Sequence, residues 1–445
     1  MRKLRWTLWS LLGVTTLLWL LADRSLFQTA GFFAVRTAMV QYSGILAIAF
    51  MSVAMILAIR PRWPERWLDG LDKMYRLHKW LGIGALVLAI VHWLWAQAPK
   101  WAVGLGWMAR RPRVPRAASG DAVEPLFASF RHTAEMLGEW AFYAAVLLIA
   151  LALVRRIPYH IFARTHWLLA LVYGVLVVHS VVLVKPAYWA SPLGLMLAAL
   201  LGYASWATLL ILTRLAGRRR QVSGEITAIR HYPGVRSVAV EIEVAKGWPG
   251  HKPGQFAFAA SDPAEGPHPY TIASAWDAQE RRISFVAREL GDHTRTLSHR
   301  LRLGQQVMIE GPYGCFTFDD DRIRQIWVAG GIGITPFIAR MDALARQPDP
   351  GRSIDLFHCS AEVDDHALAR LTADAEAANI RLHILIDARD GLLTGSRIRA
   401  AVPAWNEASI WFCGPSAFGD SLRRDFAAEG FPVEAHFHQE LFSMR

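Results

Sequence analysis

Six apolar stretches dominate the first half of the chain, approximately Trp6–Ala22, Phe32–Ile59, Leu77–Ala96, Ala134–Val154, His160–Val184 and Pro192–Leu215. Each is long enough to cross roughly 30 Å of hydrocarbon, which takes about 20 helical residues. The first has the basic start of a signal peptide, MRKLRW, but its apolar run is long and lacks a small-residue cleavage site. It is therefore expected to be a retained first helix. Hydrophobic residues make up 53% of the chain against 19% charged, and the excess lies almost wholly before about Gly217. The remainder has the balance of an ordinary soluble α/β protein.

An even number of spans puts both termini on one side. Arg2, Lys3 and Arg5, the loop RPRWPERWLDGLDKMYR, the connector carrying Arg155, Arg156 and Arg164, and the exit with Arg214 and Arg218–Arg220 all fall there. The positive-inside rule makes that side cytoplasmic. MARRPRVPR, between the third and fourth spans, runs against the rule, but long loops translocate with less regard to charge. The net charge of +11 is thus read as a lipid-facing feature; without a basic-aromatic module, nucleic acid is not an expected partner. Cys315, Cys359 and Cys413 lack metal-ligand spacing and suit a reducing compartment.

The third span, RLHKWLGIGALVLAIVHW, keeps a histidine near each end, His78 and His92. The fifth, RTHWLLALVYGVLVVHS, repeats the arrangement with His166 and His179. Both helices enter from the same side, so His78 is expected opposite His166 and His92 opposite His179. A haem iron with two axial imidazoles needs one neutral nitrogen from each of two facing helices. His78 and His92 are separated by roughly 21 Å along the helix axis, room for two stacked haems. On the third span this spacing returns to nearly the same face. The spacing on the fifth leaves His179 well round the cylinder from His166, and Gly174 between them is expected to permit a bend. The plainer alternative, polar residues satisfied in helix packing, suits one histidine better than two matched pairs. A metal site of bare histidines fits less well still, since ligands some 20 Å apart cannot share one ion. Arg36, near the outer end of the second span, is a candidate partner for a haem propionate or an electron acceptor, with an ordinary interfacial arginine as the equal alternative.

After GRRRQ the pattern becomes short strands broken by turns: GEITAIRHY, SVAVEIEV, QFAFAAS, PYTIAS, RISFVARE and QVMIEGPYG. These point to a small antiparallel β-barrel. From about Arg324 strand and helix patterns alternate, as in a parallel, doubly wound α/β sheet. HPYTIAS supplies His268, Pro269, Tyr270, Thr271 and Ile272, with an aromatic ring and a hydroxyl suited to the face and edge of a flat heterocycle. In RELGDHTRTL, Gly291, His293 and Thr294 lie where a helix would open and offer its free N–H groups to a pyrophosphate. VAGGIGITPF places Gly330, Gly331 and Gly333 after a strand, with Thr335 and Pro336 opening a helix; the third glycine of a Rossmann fingerprint is missing. WFCGPSAF puts Cys413, Gly414 and Pro415 after another strand, where open α/β sheets bind ligands.

In this order the motifs resemble the ferric reductase and NADPH oxidase superfamily in a bacterial single-chain form, over nearly the whole sequence. The resemblance implies a multidomain membrane protein: a six-helix transmembrane haem-binding bundle over 1–216, an antiparallel β-barrel FAD domain of ferredoxin-reductase type over 217–322, and an α/β parallel-sheet NAD(P) domain over 323–445. It implies His78, His92, His166 and His179 as axial ligands of two haem b groups. It implies that His268–Ile272 hold the flavin, with Tyr270 at the ring and Thr271 at its polar edge. Arg288 and Gly291–Thr294 would face the pyrophosphate, and GPYG (Gly311–Gly314) would close the barrel. The glycine loop with Thr335 and Pro336 would bind NADH or NADPH, Cys413–Gly414–Pro415 would lie by the nicotinamide, and Phe442 in the tail HQELFSMR would cover the flavin. The implied activity passes electrons from cytosolic NAD(P)H through FAD and haem to ferric chelate or dioxygen on the outer face. Its alternatives are a donor to a periplasmic protein partner and a non-catalytic haem- and nucleotide-binding sensor. None of the electron-transfer steps requires a general acid or base.

Three departures qualify the resemblance. Oxidases of this group often carry a second histidine one turn beyond the outer ligand, where this chain has Ala96. FHCSAEVDD offers Ser360 and Ala361 where NADPH users often place an arginine, a lean toward NADH. No EF-hand loop is present, so calcium control is not indicated.

Overall fold

The computed structural model describes residues 2–23, 31–109, 123–154, 156–262, 266–289 and 292–440. Two compact units emerge, one of Met1–Pro64 with Lys73–Ala216 and the other of Glu65–Asp72 with Gly217–Met444. Glu65–Asp72, within the range expected for the membrane domain, thus groups with the second unit, where Glu65 Oε1 accepts the Gly314 N–H at 2.7 Å.

Lipid offers a backbone no hydrogen-bond partners, so an apolar stretch of this length closes its own ladder as a helix. The helices before Gly217 are α1 (Arg2–Ala22), α2 (Phe32–Ala58), α3 (Arg62–Leu68), α4 (Leu71–Gly104), α5 (Val123–Leu153), α6 (Tyr159–Leu183), α7 (Pro186–Trp189) and α8 (Pro192–Leu212), all of the first unit apart from the residues of α3 and α4 within Glu65–Asp72. All but α3 and α7 are long and apolar enough to cross a membrane. Helix α4 runs 34 residues, about 51 Å, and so extends beyond the apolar core of its sequence at both ends. Helix α2 is the buried spine, with Ser43, Ala47, Ala49, Ser52 and Ala54 all buried. Small side chains of this kind let neighbouring backbones approach closely in lipid.

The second unit begins its sheet with β1 (Gln221–Tyr232), β2 (Ser237–Val244), β3 (Phe256–Ala260), β4 (His268–Thr271) and β5 (Arg282–Arg288), followed by α9 (Asp292–Arg300) and β6 (Gln306–Tyr313). The antiparallel order is β4-β3-β6-β1-β2-β5. Val238, Val240, Ile242 and Val244 of β2 and Ile283, Phe285 and Ala287 of β5 alternate inward into one core. The expected closed barrel is corrected here: no ladder joins the edge strands β4 and β5, and the segment just after β4 reaches β5 through an isolated bridge, Ile272–Phe285, and the Ala273 N–H donating to Ser284 O at 2.7 Å. Strand β4 has four residues, and its ladder runs to β3. Gly311–Gly314 is likewise not a closing seam, since β6 runs through the middle of the sheet between β1 and β3.

Every strand is then parallel: β7 (Arg324–Gly330), α10 (Thr335–Arg346), β8 (Ser353–Ser360), α11 (Asp365–Ala377), β9 (Arg381–Ile386), α12 (Asp387–Asp390), α13 (Gly395–Ala401), β10 (Ala408–Cys413), α14 (Ser416–Ala428), α15 (Val433–His436) and β11 (Phe437–Glu440). The order β11-β10-β7-β8-β9 reverses direction at β7. Ligands of open α/β sheets bind in the crevice at such a reversal, beyond the carboxyl ends of the strands. The short edge strand β11 was not anticipated from the sequence; four residues give too brief an alternation to read.

Candidate functional site

Helices α4 and α6 bring their histidines together in two pairs. The rings of His78 and His166 have centroids 5.8 Å apart, and those of His92 and His179 6.3 Å apart. With metal–imidazole bonds of about 2 Å, two rings on opposite sides of one metal have centroids roughly 6 Å apart. The pairs form with α6 helical throughout Tyr159–Leu183, so Gly174 introduces no break. The two rings of α6 settle against different neighbours instead. His166 stacks on Phe162, while His179 reaches Ala134 of α5.

Three of the four rings have their tautomer fixed by backbone. The Nδ1 atoms of His78, His92 and His179 lie 2.9, 2.9 and 2.8 Å from the carbonyl oxygens of Ala54, Val40 and Ala134. A carbonyl only accepts, so Nδ1 carries the proton and donates it. Nε2 is left with the lone pair that a metal requires. Helix glycines seat the second pair: a Cβ on Gly44 would stand 3.0 Å from the His92 ring, and one on Gly138 would overlap the His179 ring. Neither glycine nor the three carbonyls was singled out from the sequence. The glycines stand in apolar spans without periodic signal, and a carbonyl carries no residue identity.

Arg36 has a defined task. Pro99 lies inside α4 and has no N–H to offer the carbonyl one turn before it. Arg36 Nε donates to that carbonyl, Trp95 O, at 3.1 Å, and Nη2 donates to Ala96 O at 3.0 Å. The guanidinium thereby fills the gap left by proline, and the rest of its five-donor fork is what a propionate or acceptor would meet.

In the second unit, Gly330, Gly333, Cys413, Gly414 and Pro415, of the residues expected at the nicotinamide nucleotide, come together. The loop after β7 and the loop after β10 touch backbone to backbone. A Cβ on Gly330 would stand 2.8 Å from Pro415 Cδ, and one on Gly414 would stand 3.0 Å from Gly330 Cα. A Cβ on Gly333 would overlap the carbonyl of Cys413. Gly331 has φ +55°, a conformation that favours glycine. Gly331–Ile334 forms a 3₁₀ turn before α10, and Thr335 Oγ1 donates to Ile332 O at 3.0 Å. Burial raises the Cys413 thiol well above its ordinary range, with Glu440 adding to the effect, so the thiol stays neutral.

The flavin motif lies on β4. Thr271 is buried, Tyr270 is half-buried with its ring 5.9 Å from Phe285, and Ile272 is fully buried. His268 is half-buried and Pro269 exposed. Helix α9 opens at Asp292 as the sequence suggested, and Thr294 lies in its first turn. Gly291 and Phe442 lie outside the described residues, as does the side chain of His293. Arg288 meets a partner the sequence did not disclose. Its Nη2 donates to Glu362 Oε2 at 2.7 Å, while Arg236 Nη2 donates to Oε1 at 2.5 Å. Arg236, then Arg288, holds the Glu362 carboxyl below its ordinary value. Ser360 donates its hydroxyl to Glu362 O at 2.7 Å. A cleft lined by Ala273, Ser284, Arg288, Gly331, His358 and Glu362 opens between the two sheets of this unit; burial pushes the His358 imidazole down to about 4, so it is neutral.

Three family profiles match in series: a ferric reductase like transmembrane component over residues 43–177, an FAD-binding domain over 226–317 and an oxidoreductase NAD-binding domain over 327–423. The chain has the domain architecture of the ferric reductase and NADPH oxidase superfamily. Among characterised proteins it is similar to a flavohemoprotein of Pseudomonas aeruginosa, 27% identical over 184 residues, covering 39% of this chain and 46% of that one. It is also similar to the glycine betaine monooxygenase reductase subunit of Chromohalobacter salexigens, 25% identical over 201 residues, covering 39% and 50%. The chain thus spans about half the length of the curated relatives it matches. Among solved structures, the Amycolatopsis cytochrome P450 reductase GcoB overlaps 50% of this chain and 70% of its own at 22% identity, with a TM-score of 0.43. The three matches in series describe an oxidoreductase with a ferric-reductase-like transmembrane domain and FAD- and NAD-binding modules.

Proposed function

We propose that this protein carries electrons from NAD(P)H across a bacterial inner membrane to a small-molecule acceptor, ferric chelate or dioxygen, on the outer face. The observation that carries the reading is the opposed imidazole pair repeated along α4 and α6, in one chain with flavin- and nicotinamide-binding modules. When bound, FAD divides the hydride pair into single electrons and haem b iron relays them singly.

The residues present fit those groups. His78 with His166, and His92 with His179, would each hold one haem iron through their Nε2 atoms, and the carbonyls of Ala54, Val40 and Ala134 keep three of the rings in the ligating tautomer. Tyr270 and Thr271 would meet the ring and edge of the flavin. The opening of α9 would meet its pyrophosphate, and Arg288 would do so by exchanging Glu362 for phosphate. The loops at Gly330–Pro336 and Cys413–Pro415 would hold the nucleotide. Glu362 beside Ser360 disfavours an added phosphate there, which supports NADH over NADPH. The basic termini and inter-span loops support a cytoplasmic position for both termini.

The direct test adds NADH or NADPH anaerobically to purified, FAD- and haem-loaded protein while the haem absorption bands are followed. Reduction by at least one nucleotide is expected. Bands unmoved by both nucleotides would overturn the reading in favour of a non-catalytic scaffold. Rapid reoxidation by oxygen but not ferric citrate would identify an oxidase, and the converse a ferric reductase.

Gly138→Ala supplies a second check. Alanine favours a helix interior by about 1 kcal/mol over glycine, so helix stability alone predicts improvement. The added methyl meets the His179 ring, and the expected result is loss or spectral shift of one haem with the other unchanged. Two unaltered haem spectra would show that the seat plays no part in binding.

A further inference from the structure

One polar group in the membrane unit has no role in the electron path just proposed. Glu139 lies within the span Ser129–Leu153, about 15 Å along the axis from Ser129. An ionisable side chain at such a depth is costly and is commonly functional. Its Oε1 accepts from Gln97 Nε2 of α4 at 2.8 Å and from the Tyr143 hydroxyl, one turn along α5, also at 2.8 Å. Both bonds converge on Oε1, and Oε2 accepts none among the described residues. Tyr143 is 41% exposed, so the group opens on the face that lipid would cover.

Flat apolar walls adjoin it. Trp93 stacks on Phe142 with centroids 5.6 Å apart and an interplanar angle of 19°, and stands edge-on to Trp101 and Tyr143 at 5.3 and 6.2 Å. Trp93 follows His92 in the chain, and Glu139 follows Gly138, the seat of His179. The polar trio therefore belongs to the same end of the unit as the second histidine pair.

Ferric chelate and dioxygen each take one electron, with no proton needed to give ferrous iron or superoxide. A carboxyl bonded to a phenol and an amide has nothing to do in either case. A quinone would use each feature: exposed aromatic surface at Trp101 and Tyr143 for its ring, the second amide hydrogen of Gln97 for a carbonyl oxygen, and a carboxyl that carries a proton. From these features we infer that Gln97, Glu139 and Tyr143 form a binding and protonation site for a lipid-soluble quinone. The step balances as NADH + H⁺ + quinone → NAD⁺ + quinol. Two electrons arrive one at a time, two O–H bonds form, and Glu139 passes on protons drawn from water. This inference rests on the electron path proposed above.

The test uses the full chain in nanodiscs, with decylubiquinone as the probe. In Glu139→Gln, which keeps an oxygen for Gln97 and Tyr143 but loses the acid, NADH oxidation with decylubiquinone is expected to fall about a hundredfold, on the order of one lost general acid. Ferric citrate reduction should stay within about twofold, since that reaction transfers no proton. Binding is read separately, by saturable quenching of tryptophan fluorescence in the oxidised protein, and Gln97→Leu should weaken it. Parallel loss with both acceptors would reduce the trio to interhelical packing, and unchanged quinone turnover and quenching in both variants would overturn the site. If wild-type protein reduces no acceptor from NADH, the electron path fails. The quenching titration and anaerobic reoxidation of dithionite-reduced protein by decylubiquinone then decide the quinone site alone.

Discussion

In His92→Ala, the haem-to-protein ratio is expected to fall from about two to about one, while NADH continues to reduce the flavin. Three features make this the sharpest of the histidine substitutions. His92 is held by two neighbours on α2, with Nδ1 2.9 Å from Val40 O and 3.4 Å from Ser43 Oγ. Its ring fills the space that Gly44 leaves. Its partner His179 is anchored independently through Ala134, so the substitution removes one ligand without releasing the other. Electron delivery to ferric citrate should then drop on the order of a hundredfold or more, a barrier increase of about 2.7 kcal/mol. The nicotinamide and flavin modules lie in the second unit and contain none of the four histidines, so flavin bleaching by NADH should keep its wild-type rate. Pyridine haemochrome analysis measures the ratio, and stopped-flow absorbance measures the flavin. Two haems retained with unchanged bands would remove His92 from the ligand set.

What the sequence disclosed follows from how each feature is encoded. A membrane span is encoded redundantly, by some twenty apolar residues at once, so all six were legible and only their ends moved. The histidine pairs were legible because two polar residues at matched spacing stand out in apolar runs. The strands of the second unit announced themselves by alternation, as in SVAVEIEV. Contacts made by backbone were invisible: the carbonyls of Ala54, Val40 and Ala134 have no identity that a sequence can display. The seats at Gly44 and Gly138 are defined by what is missing, and only a placed imidazole gives that absence meaning. Arg36 is intermediate. Pro99 declares an unpartnered carbonyl at Trp95, yet which side chain answers it depends on how α2 lies against α4. Glu362 is one of several acids in FHCSAEVDD, and its two arginine partners come from β5 and the turn before β2. The open edge between β4 and β5 was missed because strand count alone does not determine closure.

The nucleotide loops give the second large effect. At Gly333 an added Cβ would lie 2.6 Å from the Cys413 carbonyl carbon and 3.0 Å from Gly414 N, and would overlap the Cys413 oxygen. These are backbone atoms of the adjacent central strand β10 and its loop, so no side-chain rotation relieves the contact. The loops must part, at a cost of about 1–3 kcal/mol for overpacking. Because Gly330, Cys413, Gly414 and Pro415 meet at this junction, the distortion reaches both loops assigned to the nucleotide. Gly333→Ala is therefore expected to weaken NADH at least tenfold, equivalent to about 1.4 kcal/mol, in stopped-flow reduction of the flavin. Dithionite, which needs no nucleotide site, should reduce flavin and haem at wild-type rates. Gly351→Ala serves as the control in the same domain. Its Cβ would meet only Asp349 Oδ1, at an ordinary 3.7 Å, and it should match the wild type in both assays. Wild-type NADH kinetics in Gly333→Ala would mean that the nucleotide binds away from the β7–β10 crevice. Equal slowing with dithionite would mean that the substitution damaged the fold and not the site.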